Sequence, residues 1–432
     1  MYFFYSLLLG LAALISLPWW LLQMARLGKY RAGFRERMGA VPARLKIQGA
    51  GDCIWIHAVS VGEVLAISQL VSELEKRQPE WQIFVSTTTA TGQALARQRF
   101  GQTRVFYMPL DFRFALRPYL KALRPRMLVL AETEFWPNLL HLAKMRGAAV
   151  AVVNARISDR SFPRYRRFRW FFWRILANID LFLAQTEEDA CRLKAIGAPE
   201  GRVFVTGNLK FDIKLSVRPA ITEQLRRVLP QDTRVIVCGS TTEGEEELVL
   251  AAFRQVLQQF PNSIMILAPR HPERFEKVAT VIASAGLPYV KRSTWDPQAR
   301  AAVGAGSIFL LDSVGELASV YALADLAFVG GSLVPLGGHN ILEPAQHGVA
   351  VLTGPHTFNF REIVRIFEAG GGLRVVGADD LSASIINLLN NHQEREQLGR
   401  RARELFLENT GATGKTITAL QLLLNGTPVA TE

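Results

Sequence analysis

Cysteine is scarce in this chain. Three residues in 432 (Cys53, Cys191, Cys238) form no C-x-x-C pair, which excludes a disulfide framework and a cysteine-rich zinc site. Each is set in an apolar run, the pattern of a reducing compartment. Metal-ligand spacing is also missing. The seven histidines make no H-E-x-x-H, and no two aspartates stand two apart to grip a divalent ion on a nucleotide diphosphate. There is no G-x-S-x-G elbow, so a serine hydrolase of that type is excluded. GATGKT at 411–416 echoes a phosphate loop, but Asn409 occupies the position that requires glycine and no strand precedes it. Internal repeats and low-complexity segments are absent.

What is present describes a globular chain. Hydrophobic residues make up 49% and charged residues 20%, and 432 residues exceed one ordinary core, so two or more domains are expected. The net charge of +12 is local. Residues 26–46 carry Arg26, Lys29, Arg31, Arg35, Arg37, Arg44 and Lys46 against Glu36, and residues 156–174 carry seven arginines against Asp159. The rest of the chain balances at 36 basic and 36 acidic residues. A uniformly basic nucleic-acid binder would not be built this way.

Residues 2–22, YFFYSLLLGLAALISLPWWLL, contain no charge. As a helix they reach about 31 Å, enough for a hydrocarbon core of about 30 Å. The basic flank follows the apolar run, the reverse of a signal peptide, and predicts a cytoplasmic body. Pro18, Trp19 and Trp20 suit the interface end of a span or a helix that dips in without crossing. A buried helix of the first domain is the plainer alternative.

The second basic patch, SFPRYRRFRWFFWRIL at 161–176, interleaves Arg164, Arg166, Arg167, Arg169 and Arg174 with aromatics that include Trp170. A helix here puts Phe168, Phe171 and Phe172 on one face. Rings at the headgroups and guanidinium groups on phosphates suit a bilayer interface. An amphipathic helix with a solvated basic face, or stacking on single-stranded RNA, are the alternatives. The neighbouring anchor favours lipid.

From residue 53 short apolar strands alternate with helical stretches: 53–59, 82–87, 104–108, 127–132, 148–153, 180–184 and 202–206 read as strands. After a polar stretch at about 212–232 the pattern restarts at 234–239, 263–268, 307–311, 325–330 and 349–353, and a long helical tail covers about 380–425. Near-continuous apolar strands separated by helices predict parallel sheets covered on both faces. The expectation is an α/β chain of two Rossmann-like domains facing an inter-domain cleft. A membrane anchor (1–25) precedes a first Rossmann-like domain (26–211) and a second (212–432), whose tail helix is free to pack back on the first.

Ligands of such folds bind beyond the carboxyl ends of strands. Ser60 and Glu63 follow the first strand with the spacing of a capping box, so both side chains have a plain role at helix amides. As a strand-end carboxylate, Glu63 also suits a general base, with the helix N-terminus lowering its pKa. AETEFWPN (131–138) places Glu132 and Glu134 after another strand; at most one is expected to enter the cleft, the other capping the helix near Trp136. Lys210 in GNLKFD (207–212) stands at the domain crossing, as a counter-charge for phosphate or carboxylate or as a plain surface lysine. In the second half, Ser240 lies at a helix start, Arg270 and His271 suit phosphate, and Val314, Gly315 and Glu316 open a helix. Glycines 330, 331, 337 and 338 let the backbone approach a ligand, followed by Asn340, Ile341, Leu342 and Glu343, whose carboxylate suits a ribose.

HAVSVGE (57–63), AETEFWPN, GNLKFD, PRHPER (269–274), Val314-Gly315-Glu316, GGSLVPLGGHNILEPAQHG (330–348) and GPHTFNF (354–360) stand in this order. The set resembles the 3-deoxy-D-manno-oct-2-ulosonic acid (Kdo) transferases of Gram-negative lipopolysaccharide synthesis. The resemblance implies a GT-B fold and inverting, metal-free transfer of Kdo from CMP-Kdo to the tetraacyl lipid A precursor. It implies Glu63 as base, with Glu132 and Lys210 stabilising the transition state. Arg270, His271, Val314 to Glu316 and Asn340 to Glu343 would hold CMP. Arg164, Arg166, Arg167, Arg169 and Trp170 would meet the lipid acceptor. No cofactor and no nucleic acid are implied, and the expected location is the cytoplasmic face of the inner membrane. Two other readings remain: a different GT-B enzyme, such as a nucleotide-sugar epimerase or hexosyltransferase, and a membrane-attached RNA-binding protein.

Overall fold

The structure, a computed structural model, describes residues 1–27, 32–45, 53–212, 220–230, 232–297 and 303–427. Lys29, Arg31 and Lys46 of the first basic patch, and residues 213–219 and 231 of the polar stretch, lie outside the described residues. The chain forms two compact units, Met1–Asp212 with Thr410–Glu432, and Ile213–Asn409.

Unit 1 is built on seven parallel strands: β1 (Cys53–His57), β2 (Gln82–Thr87), β3 (Val105–Tyr107), β4 (Met127–Ala131), β5 (Ala149–Ala155), β6 (Leu181–Ala184) and β7 (Val203–Val205). They lie side by side as β3-β2-β1-β4-β5-β6-β7. Successive strand residues face opposite ways, so both faces of the sheet are core. Trp55, Phe106 and Leu128 lie in one layer, Ile54, Ile56 and Val129 in the other. The helices are α1 (Tyr2–Leu27), α2 (Phe34–Arg37), α3 (Val61–Arg77), α4 (Ala90–Phe100), α5 (Arg113–Leu123), α6 (Pro137–Met145), α7 (Phe162–Arg167), α8 (Arg169–Leu176) and α9 (Glu187–Ala195).

Unit 2 repeats the plan with β8 (Val235–Thr241), β9 (Ile264–Pro269), β10 (Tyr289–Lys291), β11 (Ile308–Leu310), β12 (Leu326–Val329), β13 (Ala350–Thr353) and β14 (Arg374–Val375), ordered β10-β11-β9-β8-β12-β13-β14. Its helices are α10 (Ala220–Val228), α11 (Glu246–Gln259), α12 (Phe275–Ser284), α13 (Leu317–Val320), α14 (Leu342–Ala345), α15 (Arg361–Ala369), α16 (Leu381–Asn390) and α17 (His392–Glu408). The last helix, α18 (Ala412–Leu424), belongs to unit 1 and lends Ile417 and Leu420 to its core.

Several expectations need correction. Edge strands β10 and β14 were not foreseen; they are short and only half buried, so no apolar run marks them. The tail is three helices. Asn391 starts α17 by accepting the Glu394 N–H, and Gly411, at φ 96°, precedes α18. Asp212 accepts the Gly411 N–H at 2.6 Å and also that of Thr413, so the GATGKT amides bind a carboxylate of this chain. The 161–176 segment is two helices broken at Phe168, which is exposed while Phe171 and Phe172 pack on the core. The three rings therefore share no face. Cys191, placed by the sequence in an apolar run, is exposed on α9, while Cys53 and Cys238 are buried.

Candidate active site

Three carboxylates gather at the strand ends of unit 1. Glu63 sits in the first turn of α3 and is 7% exposed. Its Oε2 accepts the Val59 N–H at 2.7 Å and its Oε1 accepts the Ser60 hydroxyl at 2.9 Å. This is not the reciprocal capping box. Ser60 donates to the carboxylate and caps no helix amide, so each Glu63 oxygen keeps one lone pair uncommitted. The expected lowering of its pKa is reversed as well. Burial pushes the carboxyl up to about 6 against the Val59 N–H; Glu132 adds to the rise, while Ser60 and Lys210 reduce it. Desolvation outweighs the helix N-terminus.

Glu132 follows β4 with φ 55°, a left-handed backbone that costs a non-glycine residue about 1–3 kcal/mol. Its Oε1 meets Lys210 Nζ at 3.3 Å and its Oε2 meets Arg156 Nε at 3.4 Å. Strand alternation therefore does not sort Glu132 from Glu134, because Glu132 already lies outside the extended backbone. The charge of Glu132 raises the Glu63 carboxyl, and that of Glu63 raises Glu134 in turn. Burial, then the charge of Glu63, pushes Glu134 up to about 7, with the Trp136 indole opposing and Glu132 adding. Glu134 does not cap α6; Asp111 does, accepting the Asn138 and Leu139 N–H groups at 3.0 and 2.8 Å.

Lys210 is held by backbone. The Asn208 side chain accepts its N–H at 3.0 Å, and the buried Asn154 accepts the Leu209 N–H at 2.9 Å. Asn154 adopts φ 54° where the β5–β6 register shifts. Arg156 and Asn154 escaped the sequence reading, Arg156 as one of seven arginines in a patch and Asn154 as an unremarkable strand residue.

The arginine–aromatic segment adjoins this cluster. The Tyr165 ring meets Phe135 edge-on at 6.2 Å, and the charge of Glu134 adds to burial in raising the Tyr165 phenol. Arg164, Arg166, Arg167 and Arg169 are exposed beside Trp170, and none pairs with a carboxylate among the described residues.

Unit 2 gathers polar groups at the same end of its sheet. Ser240 takes φ 55° at a register shift between β8 and β9. Gly239 must lack a Cβ because one would fall 1.9 Å from the Tyr321 hydroxyl. Arg270 and His271 are exposed; both charges, after burial, lower the pKa of His339, which falls to about 4. The Asn340 amide donates to Glu343 Oε1 at 3.3 Å and its Oδ1 accepts the Leu342 N–H, so Asn340 and Glu343 are braced together. Burial raises Glu343, with Asn340 and Arg270 opposing. Ile341 and Leu342 are core residues. Val314 is exposed, Gly315 takes φ 89°, and Glu316 is gripped by Arg292 at 3.1 and 3.2 Å and by the Ser313 hydroxyl.

One residue there went unread. Glu245, fully buried, accepts the N–H groups of Thr242, Gly331, Ser332 and Leu333 and the Thr242 hydroxyl at 2.6–3.0 Å. The Gly331 amide, expected to face a ligand, thus already holds a carboxylate. In TTEGEEE this residue reads as one more acid at a helix start; no sequence signal separates it. Among the described residues no three His, Cys, Asp or Glu side chains are grouped to hold a metal ion.

A family model described as 3-deoxy-D-manno-octulosonic-acid transferase (kdotransferase) matches residues 32–213. The 3-deoxy-D-manno-octulosonic acid transferase of Haemophilus influenzae is 36% identical over 97% of this chain and 98% of its own. The chain belongs to the 3-deoxy-D-manno-octulosonic acid transferase family. The Bordetella pertussis transferase is 35% identical, covering 95% of this chain and 96% of its own. A putative UDP-N-acetylglucosamine 2-epimerase from Listeria monocytogenes superposes with a TM-score of 0.56 at 14% identity, over 89% of this chain and 100% of that one. At that identity it shows the fold alone. Two seven-stranded parallel sheets of this kind make the GT-B fold, and this Kdo transferase is a glycosyltransferase that places its clustered acids on the first sheet.

Proposed function

We propose that this Kdo transferase moves Kdo from CMP-Kdo to the tetraacyl lipid A precursor in one inverting, metal-independent displacement, with Glu63 as general base. The observation that carries the reading is Glu63 itself. It is a buried carboxylate with a pKa of about 6 and one uncommitted lone pair on each oxygen, in a chain of this family. A base is most effective when its pKa lies near the working pH. The acceptor hydroxyl gives its proton to Glu63 as its oxygen bonds to the anomeric carbon of Kdo, and the bond from that carbon to the CMP phosphate breaks. CMP departs as a stable anion, so no acid is required.

Lys210, and Glu132 through its hold on Lys210 and Arg156, set positive charge where the Kdo carboxylate and leaving phosphate develop theirs. CMP is assigned to unit 2 through Ser240, Arg270, His271, Val314 to Glu316, the turn at Gly331 and Asn340 to Glu343. The arginines of α7 and α8 with Trp170 are assigned to acceptor phosphates and the headgroup layer. α1 is long and apolar enough to cross a membrane, with a mean hydropathy of 1.7 over Tyr2–Trp20. It serves as the anchor, and the catalytic units work at the cytoplasmic face of the inner membrane.

The test is detergent-solubilised protein incubated with the tetraacyl precursor, coupled CMP-Kdo synthesis and EDTA, read by mass spectrometry. Products heavier by one or more Kdo units are expected. No product despite CMP binding would send the search to other acceptors; no product and no CMP binding would end this reading. Replacing Arg164, Arg166, Arg167 and Arg169 by Ser should raise the acceptor KM on the order of tenfold through lost charge-assisted contacts, with CMP-Kdo affinity spared.

A further inference from the structure

The first turns of α1 are docked on unit 1. Tyr2 stacks on His141 of α6 with ring centroids 3.9 Å apart, and its hydroxyl accepts from Asn178 at 2.8 Å. Asn138 of α6 donates to the Ser6 hydroxyl at 3.0 Å. Tyr2, Tyr5, Ser6 and Leu9, spaced 3, 1 and 3 apart, form the covered side of the helix. From Leu11 to Trp20 the helix is exposed on nearly every side, and the apolar window has none of its residues buried.

The chain after α1 returns to the same unit. A Cβ on Gly33 would fall 1.9 Å from Cδ2 of the Tyr107 ring, Glu36 accepts the Tyr107 N–H at 2.8 Å, and Arg37 lies 4.6 Å over that ring. From Leu27 to Ala32 five residue steps reach about 18 Å at most. The hydrocarbon core is about 30 Å thick. With its first turn bonded to α6 and its last turn within about 18 Å of β3, the helix has neither end free to lie across that distance.

We infer that α1 is a one-leaflet anchor: both of its ends stay on the side of the bilayer that holds unit 1, and its exposed Leu11 to Trp20 stretch is embedded in the acyl chains of that leaflet. The inference rests on the membrane attachment proposed above and adds its topology. The occupant of the apolar surface is lipid. The stretch has no charge, and the helix that carries it starts, at Tyr2, beside Asn178, which closes the segment bearing Arg164 to Arg174. A crossing helix would carry its first turn to the far headgroups, away from those arginines. A one-leaflet helix keeps apolar and cationic surfaces together at one interface, the arrangement that binds anionic lipid surfaces.

The test uses the full-length chain in inner membranes, with Cys191→Ser removing the exposed thiol. Ser6→Cys with Asn138→Cys should cross-link on mild oxidation in the membrane, read as fragments that stay joined after cleavage at a protease site placed within residues 46–52 until reductant is added. Tyr2→Cys with His141→Cys is the second pair, in case the first variant fails to fold. Phe3→Cys should resist a membrane-impermeant maleimide applied to intact spheroplasts. Labelling of Phe3→Cys from outside intact spheroplasts overturns the inference, as does the absence of both cross-links in membranes that contain active enzyme. Recovery of the chain in the soluble fraction overturns the membrane attachment itself, a result separate from either.

Discussion

Two buried glutamates, each just beyond a strand in one of the two sheets, have opposite fates. Glu245 in unit 2 receives five hydrogen bonds, four from backbone amides. Glu63 in unit 1 receives two and shares its surroundings with Glu132 and Glu134. Burial is common to both; the supply of donors is not. A carboxylate met by several amides is held as a fixed acceptor, and its loss leaves those amides unpaired. A carboxylate desolvated with few donors and acidic neighbours binds its proton more tightly. The same side chain thus serves as a brace in one unit and as a candidate base in the other.

Substitution should separate the two roles. Glu63→Gln is expected to lower turnover on the order of 10²-fold or more while CMP affinity, measured by calorimetry, changes little. Normal turnover would return Glu63 to a local structural role. Glu245→Ala should act in the reverse sense. Three amides of the 331–333 turn and that of Thr242 lose their acceptor, so unit 2 should lose roughly 2–4 kcal/mol of stability. CMP affinity should then fall on the order of tenfold, because one such unpaired group is worth a factor of that size. The pH at which turnover rises should not move, since Glu63 lies in the other unit. A shifted pH profile in Glu245→Ala would break the comparison.

The sequence exposed the scaffold more fully than the electrostatics. Strands β1, β2, β4, β8 and β9 are buried on both faces, and a doubly buried strand must be written in apolar residues. Edge strands β10 and β14 bury little and leave no such record. Glu63, Glu132 and Lys210 were legible as polar residues at strand ends. Their mutual contacts depend on left-handed backbone at Glu132 and Asn154, which residue types other than glycine do not announce. The sign of the Glu63 shift was misread because the helix N-terminus is visible in sequence and the extent of burial is not. Glu245 was hidden by its acidic neighbours; only the returning 330–333 turn, almost 90 residues later, distinguishes it.

The acid cluster should also appear in the pH dependence. Turnover at saturating substrates should rise through an apparent pKa between about 6 and 7, belonging to the Glu63–Glu134 pair rather than to either residue. Glu134→Gln removes the higher-titrating member of the pair, so the midpoint should move down towards about 6, the Glu63 value. A midpoint unchanged in Glu134→Gln would show that Glu134 takes no part in the titration that governs turnover.

The smallest effect is on stability, and its sign is the sharper test. Glu63 has a folded-state pKa of about 6 against an ordinary 4.5. The folded protein therefore binds this proton more tightly than the unfolded chain does. The corresponding stabilisation is complete below about pH 4.5 and is lost as pH rises through about 6. Above that pH the ionised, buried carboxylate is a liability of roughly 2 kcal/mol, from 1.36 kcal/mol per pKa unit. Glu63→Gln avoids it, so the Tm of the variant relative to the native chain should climb between pH 4.5 and 7 and then level off. Glu245→Ala should show a deficit at pH 7, from the amides it leaves without an acceptor. If Glu63→Gln is destabilised equally at pH 4.5 and pH 7, Glu63 is a brace like Glu245, and the contrast between the two units fails at the residue on which the catalytic reading depends.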